Sequence, residues 1–154
     1  MEEQEMLSLL DKVMFLRGIE FCSYLQMEEL GRLARVARLE IYPENKELLI
    51  EGVTNSRLYI ITRGSVELSA RTPSGVNATI AVLGAGEAFG DTTVFDEAVS
   101  PVTAEVILGE AALLTIDHQD IERLCNLYPT LATGFIKAIS ARVRKLEHLL
   151  ITMG

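Results

Sequence analysis

From Arg38 onward the apolar residues of this chain fall on every second position, and that period leaves few folds open. Leu39/Ile41, Leu48/Ile50, Leu58/Ile60, Val66/Leu68, Ile80/Val82, Val102/Ala104/Val106 and Leu114/Ile116 alternate with other residues in short runs. Alternation suits a half-buried strand, because successive side chains leave opposite faces of a sheet. Turn formers separate the runs: Pro43-Glu44-Asn45, Gly52, Arg63-Gly64-Ser65, Thr72-Pro73-Ser74-Gly75, Gly84 to Gly86 and Gly109-Glu110. About seven or eight short strands at this spacing predict an antiparallel sandwich or barrel, with a jelly roll (a double-stranded β-helix) as the natural small solution.

Helical spacing brackets the β-roll. Glu3 to Leu16 carries Met6, Leu7, Leu10, Val13 and Met14 as one amphipathic stripe, which Gly18 interrupts. A second helix runs from Gln26 to about Val36, with Leu30, Leu33, Ala34 and Ala37 on one side. After the roll, Asp117 is the expected N-cap of a helix over His118 to Leu127. Pro129 breaks the chain, and Thr130 is the expected cap of the last helix.

In that last helix Ala132, Ile136, Ile139, Val143, Leu146, Leu150 and Met153 advance by alternate steps of four and three, a heptad seam. Ile136, Val143 and Leu150 fall at a, with Ile139 and Leu146 at d. Mostly β-branched a positions with Leu146 at a central d favour a parallel two-stranded coil. A homodimer through Ile136, Ile139, Val143, Leu146 and Leu150 is therefore expected, with Arg142 at g and Glu147 at e as an interchain ion pair. Leu131 and Phe135 occupy an adjacent face that suits the chain's own barrel.

With 154 residues, 49% of them hydrophobic, the chain reads as one domain over 1–154: a helical segment 1–37, a β-roll 38–116 and helices 117–154. The net charge of −8 speaks against nucleic acid, since phosphate contacts need concentrated Lys and Arg. No apolar run reaches the roughly 18–20 residues of a membrane span. The acidic start Met1-Glu2-Glu3-Gln4-Glu5 is unlike a signal peptide, so a cytoplasmic protein with no membrane partner is expected. Cys22 and Cys125 have no metal spacing and read as buried free thiols. The only histidines, His118 and His148, fall far apart in predicted helices, His118 as a surface residue and His148 as a charge favourable to the helix dipole. No metal set or Ser–His–Asp arrangement is present, so an enzyme is not expected.

One loop stands apart: Gly84-Ala85-Gly86-Glu87-Ala88-Phe89-Gly90-Asp91-Thr92-Thr93 carries three glycines in seven residues, and Ser100-Pro101-Val102-Thr103-Ala104-Glu105-Val106 answers it. Such glycines mark a sharp bend or a close approach. Thr92-Thr93-Val94-Phe95 then suits a single helical turn whose N–H groups cradle an anion. A plain turn between strands is the other reading of the same residues.

Helices, a jelly roll with a Gly-rich loop and a long final helix resemble the cyclic-nucleotide-binding domain family, over roughly Phe15 to Leu146. The carriers are Leu25-Gln26-Met27-Glu28-Glu29-Leu30, Glu51-Gly52, Leu58 to Leu68 with Arg63-Gly64-Ser65 at its centre, and Gly86-Glu87-Ala88-Phe89-Gly90-Asp91. Val13 to Phe21 looks like its bacterial members. The resemblance implies a phosphate-binding cassette after Phe89-Gly90, where a glutamate takes the ribose 2′-hydroxyl and backbone N–H groups hold the cyclic phosphate. It also implies an arginine about ten residues on. Here Asp91 stands at the glutamate, Thr92 and Thr93 take the turn, and Pro101-Val102-Thr103-Ala104 matches the arginine segment with valine in place of arginine.

Loss of a bidentate guanidinium–phosphate contact costs roughly 2–4 kcal/mol, about 30- to 1000-fold in affinity. Asp91 is also a methylene shorter than glutamate, while Thr103 keeps a hydroxyl. The candidate ligand residues are thus Gly90, Asp91, Thr92, Thr93, Val102 and Thr103, with cAMP or cGMP as the implied ligand. The expectation is a regulatory, signal-transducing module whose response to these nucleotides is altered or lost. Two alternatives stay open: a working sensor rescued by Arg57, Arg63 or Arg71, and a dimerising interaction module with no small ligand. Members that regulate transcription follow the long helix with a helix-turn-helix; here the heptads run to Gly154, which reads as a stand-alone module or a piece joined to a larger effector protein. If a ligand binds, the family mechanism implies that the cassette moves the C-terminal helix.

Overall fold

The computed structural model describes residues 7–154. Helix α1 covers Leu9–Arg17 and α2 Met27–Val36, with a single 3-10 turn at Glu20–Cys22 between them. Six strands follow: β1 Arg38–Tyr42, β2 Glu47–Leu49, β3 Arg57–Arg71, β4 Asn77–Leu83, β5 Ala88–Phe89 and β6 Thr103–Asp117. The chain closes with α3, His118–Leu127, and α4, Pro129–Met153. All strand pairs are antiparallel, in the order β1-β6-β3-β4, with β2 added to β6 and β5 to β3. This is the expected jelly-roll arrangement with flanking helices.

The long β3–β6 ladder is the spine, and it corrects the strand count. Arg63-Gly64-Ser65 and Gly109-Glu110 do not end strands; they are bulges at which β3 and β6 bend together. The register runs Ile61↔Leu113, then Arg63↔Ala112, then Ser65↔Ile107. Gly64 sits at φ +100°, and a Cβ there would lie 2.7 Å from the Ala111 Cβ. Only glycine fits so close an approach. Val102 also lies outside the strand in which the alternation placed it, since β6 begins at Thr103.

Because the sheet is covered on one face and curled on the other, both faces of β3 are apolar. Leu58 and Ile60 pack with Leu114, Ile116, Leu33 and Phe135 in a core beneath the helices. Tyr59 and Ile61 turn the other way, into the roll, with Phe89, Val106 and Leu113. Burial on this scale contributes about 25 cal/mol per Å² of apolar surface.

The helix ends differ from expectation in three places. Helix α1 starts after Ser8, whose Oγ accepts the Asp11 N–H at 3.0 Å, while the predicted start at Glu3 to Met6 lies outside the described residues. Its buried side chains are Val13 and Leu16, with Leu10 and Met14 exposed. Asp117 precedes α3, but its carboxylate serves Arg57 Nε at 3.0 Å and Arg38 Nη2 at 3.1 Å and makes no cap. Helix α4 opens on Pro129 with Tyr128 before it, so Thr130 is inside the helix and caps nothing. At the start of α2, which the sequence places at Gln26, the Gln26 N–H donates to Glu29 Oε1 at 2.8 Å, half of a capping box.

Candidate functional site

The glycine loop is held at both ends by backbone bonds. Gly86 N–H donates to Ile61 O at 2.8 Å, and Ile61 N–H returns to Glu87 O at 2.9 Å. Gly90, at φ +85°, reverses the chain where a Cβ would stand 2.5 Å from the Arg57 carbonyl oxygen. Glycine is obligatory there. The expected helical turn is one α-turn: Val94 N–H donates to Gly90 O at 3.1 Å and Thr93 N–H to the same oxygen at 3.4 Å. Those two amides are engaged within the loop. The Asp91 and Thr92 N–H groups have no protein acceptor among the described residues.

Asn55, which carries no local signal of a role, organises the turn. Its buried amide donates to Arg57 O at 2.7 Å and to Thr93 Oγ1 at 2.9 Å, and its N–H to Ala98 O at 3.0 Å. Thr93 is accordingly buried, while Thr92 points outward.

The answering segment reaches the same interior. Val102 is half-buried against the apolar cluster that also contains Phe89, Leu68 and Leu83. Ser100 fixes its backbone, accepting the Val102 N–H at 3.2 Å and donating to Val102 O at 2.6 Å. Thr103 Oγ1 accepts the Glu51 N–H at 3.0 Å, and Glu51 Oε1 accepts the Arg71 N–H at 3.0 Å. The structure thus places Val102 in the same apolar cluster as Phe89, the residue before Gly90, while Thr103 is engaged with Glu51.

The three arginines that could take the place of the expected guanidinium each have a partner in this structure. Arg57 pairs with Asp117, Arg63 with Glu110 at 3.5 Å, and Arg71 Nη1 donates to Gly75 O at 3.4 Å. The cation on the cassette comes from α4. Arg142 Nη2 lies 2.5 Å from Asp91 Oδ2, and its Nε lies 3.4 Å from Glu20 Oε1. Lys145 Nζ completes the network at 2.7 Å from Glu20 Oε2. The Lys145 hydrogen bond, aided by the charges of Lys145 and Arg142, holds the Glu20 carboxyl below its ordinary range. A polar cleft of about 310 Å³ opens here, bounded by Glu20, Glu87, Asp91 and Arg142. Within one chain both sides of the Arg142 guanidinium face carboxylates, Asp91 and Glu20, with which the expected interchain pairing to Glu147 would compete.

The seam residues Ile136, Ile139, Val143, Leu146 and Leu150 stand between 37% and 69% exposed, whereas Leu131 and Phe135 are buried in the chain's own core, as their face predicted. His118 is no surface residue: its side chain is 15% exposed and its ring bonds to Val94 O. Cys22 and Cys125 are free, and burial pushes the Cys22 thiol up to about 12, which leaves it an inert core residue. Among the described residues no group of three or more His, Cys, Asp or Glu is placed to hold a metal, and no helix is long and apolar enough to cross a membrane.

The model of the cyclic nucleotide-binding domain matches residues 39–128. The chain is similar to the cyclic AMP receptor protein of Thermus thermophilus, 26% identical over 132 residues that cover 86% of this chain and 61% of that protein. It is similar too to a CRP-like cAMP-activated global transcriptional regulator of Mycobacterium tuberculosis, 24% identical over 107 residues, 70% of this chain and 47% of that one. It therefore spans roughly half the length of the curated relatives it matches. Among solved structures, the N-terminal domain of a transcriptional regulator from Streptomyces coelicolor superposes with a TM-score of 0.76 at 28% identity, covering 86% of this chain and 94% of that one. The regulatory domain of Toxoplasma gondii PKA, solved with cAMP, shares the fold at a TM-score of 0.69 and 19% identity, over 75% of this chain and 43% of that one. With its jelly roll and more than half its length inside the matched span, the chain belongs to the cyclic nucleotide-binding domain family.

Proposed function

We propose that this chain is a non-enzymatic regulatory module whose cassette has lost most or all of its affinity for cAMP and cGMP, and whose output is α4. One observation carries the reading: Val102, packed on the roll's apolar interior, takes the place of the phosphate-pairing arginine. A cyclic phosphate entering there would bring its charge to methyl groups, with Asp91 and Glu51 as the nearby carboxylates. Desolvating an anion without a paired cation is unfavourable. The latch from Asp91 through Arg142 to Glu20 supports α4 as the output, because any group that competes for Asp91 changes what holds the helix. The exposed seam of Ile136, Ile139, Val143, Leu146 and Leu150 then serves to join a second copy.

A working nucleotide sensor is the second reading, favoured by the Arg142 guanidinium that α4 brings to the cassette. The names of the Thermus and Toxoplasma proteins make cAMP the first nucleotide to try. Calorimetric titration with cAMP and cGMP separates the two. The expected result is no measurable binding by the unmodified chain, with a gain of about 30- to 1000-fold in Val102→Arg. Micromolar binding by the unmodified chain that disappears in Arg142→Ala would overturn the first reading in favour of the second.

A further inference from the structure

Helices α3 and α4 meet the end of the cassette turn around an apolar groove of about 340 Å³, apart from the polar cleft at Arg142. Glu122, Cys125 and Asn126 line it from α3, at the three- and four-residue spacing that shares one face of a helix. Ala132, Ile136 and Ile139 line it from α4 in the same way. Phe95 and Phe135, with ring centroids 5.4 Å apart, add an aromatic wall. Cys125 and Ala132 are short side chains, so the two helices pack without filling the space between them.

The charge on this groove has one sign. No lysine or arginine lines it, and Glu122 is its one carboxylate. Neither the Glu122 nor the Asn126 side chain has a hydrogen bond or ion pair among the described residues. His118 also lines the groove, but its ring is bound to Val94 O. Glu122 is exposed, which suits a ligand whose apolar body leaves water while its charged end stays at the wet mouth. The size is that of a small molecule. Helix α3 has 10 residues, so the groove is at most about 15 Å long, short for a partner helix. Its volume lies at the lower end of the roughly 300–1,000 Å³ of ligand pockets.

We propose that this groove binds a small amphiphilic amine. The apolar body lies against Phe95, Phe135 and Ile136, and the ammonium meets Glu122, with Asn126 beside it as a further polar contact. The site rests on neither the nucleotide affinity of the cassette nor the partner of the seam. The test uses 1-naphthylmethylamine, followed in amide NMR spectra of the chain, beside 1-naphthylacetic acid, which carries the same ring system and the opposite charge. Saturable shifts should centre on Cys125, Ala132 and Ile136 and leave β4, which has no part in the groove, unmoved. The amine should bind about three- to tenfold tighter than the acid, the difference between attraction and repulsion at an exposed charge. A net charge of −8 favours an amine everywhere on the surface, so Glu122→Gln isolates the groove and should remove most of that preference. Ala132→Leu, which fills the groove, should abolish the shifts from both compounds. No saturable shift at the groove, or a preference for the amine that survives Glu122→Gln, would overturn the proposal. Binding that appears only as the chain is diluted would make a second copy the occupant and overturn it too.

Discussion

Along α4, Leu131, Gly134, Phe135 and Ala138 are buried against the chain's own core, while Ile136, Ile139, Val143, Leu146 and Leu150 stand open on a neighbouring face. Followed further at helical spacing, the inward face changes character. The positions after Ala138 are Arg142 and Lys145, which meet Glu20 and Asp91 instead of apolar side chains. The first half of the helix is therefore fixed by packing and the second half by a polar latch. Gly134 shows how tight the first half is, since a Cβ there would lie 2.5 Å from Leu25 Cδ2. Packing of that kind does not yield to a ligand, whereas an ion-pair network at the surface does. If α4 is the output proposed above, this difference puts its responsive part beyond Ala138, beside the cassette.

The largest effect should come from the packed half. Phe135 is 1% exposed and stacks on Phe21 at 4.5 Å between ring centroids. Phe135→Ala should cost about 3–5 kcal/mol in urea denaturation, the range for losing a buried aromatic side chain. Its neighbour Ile136 is 62% exposed, and Ile136→Ala should change monomer stability by no more than about 0.5 kcal/mol. The same Ile136→Ala, with Leu146→Ala, should weaken self-association in sedimentation velocity if the open face joins two copies. Equal losses of monomer stability at 135 and 136 would erase the contrast between the faces.

The polar half should give less. Asp91 keeps 13% of its side chain exposed, so removing its guanidinium leaves a carboxylate largely cut off from water. Arg142→Met, which retains the stem, should cost about 1–2 kcal/mol. Asp91→Asn should cost less, and the double variant should lose less than the sum of the two. Exchange of α4 amides after Ala138 should speed up in either single variant, with those around Phe135 unchanged. Additive losses in the double-mutant cycle would mean that the pair does not hold the helix.

The roll itself was plain in the sequence because alternation answers to the pleat alone. Its segmentation was not. A glycine inside a period-two run serves equally as a turn or as a bulge, and only the partner strand decides; at Gly64 the Ala111 Cβ chose the bulge. Asp117 is a good N-cap by residue type, but Arg38, 79 residues away, and Arg57, 60 residues away, took its carboxylate. In the site, the sharp bend at Gly90 was legible, since only glycine fits a positive φ so close to the Arg57 carbonyl. Arg142 was not legible. A basic residue flanking a heptad seam has the same spacing whether it meets a partner's Glu147 or its own Asp91, and only the fold brings Asp91 within its reach. Asn55 and His118 carried no local signal, because their acceptors lie in the cassette turn and helix start that only the fold brings to them.

The smallest effect sharpens the comparison by titrating the latch without replacing Arg142. Glu20 is held below its ordinary carboxylate range, first by the Lys145 hydrogen bond and then by the charges of Lys145 and Arg142. A depressed carboxylate contributes stability that is fully present above its ordinary value of 4.5 and fades as the pH falls through the lower folded-state value. Because 47% of the Glu20 side chain is exposed, solvent screening limits that contribution to about 0.3–0.5 kcal/mol. Urea midpoints should therefore separate the unmodified chain from Glu20→Gln at pH 6 and bring them together at pH 3. Phe135→Ala, compared in the same way, should keep its full deficit at both values, since nothing in that half of the helix titrates with Glu20. A gap between the unmodified chain and Glu20→Gln that persisted at pH 3 would show that Glu20 acts through packing, and the distinction between the two halves of α4 would then rest on Arg142 and Asp91 alone.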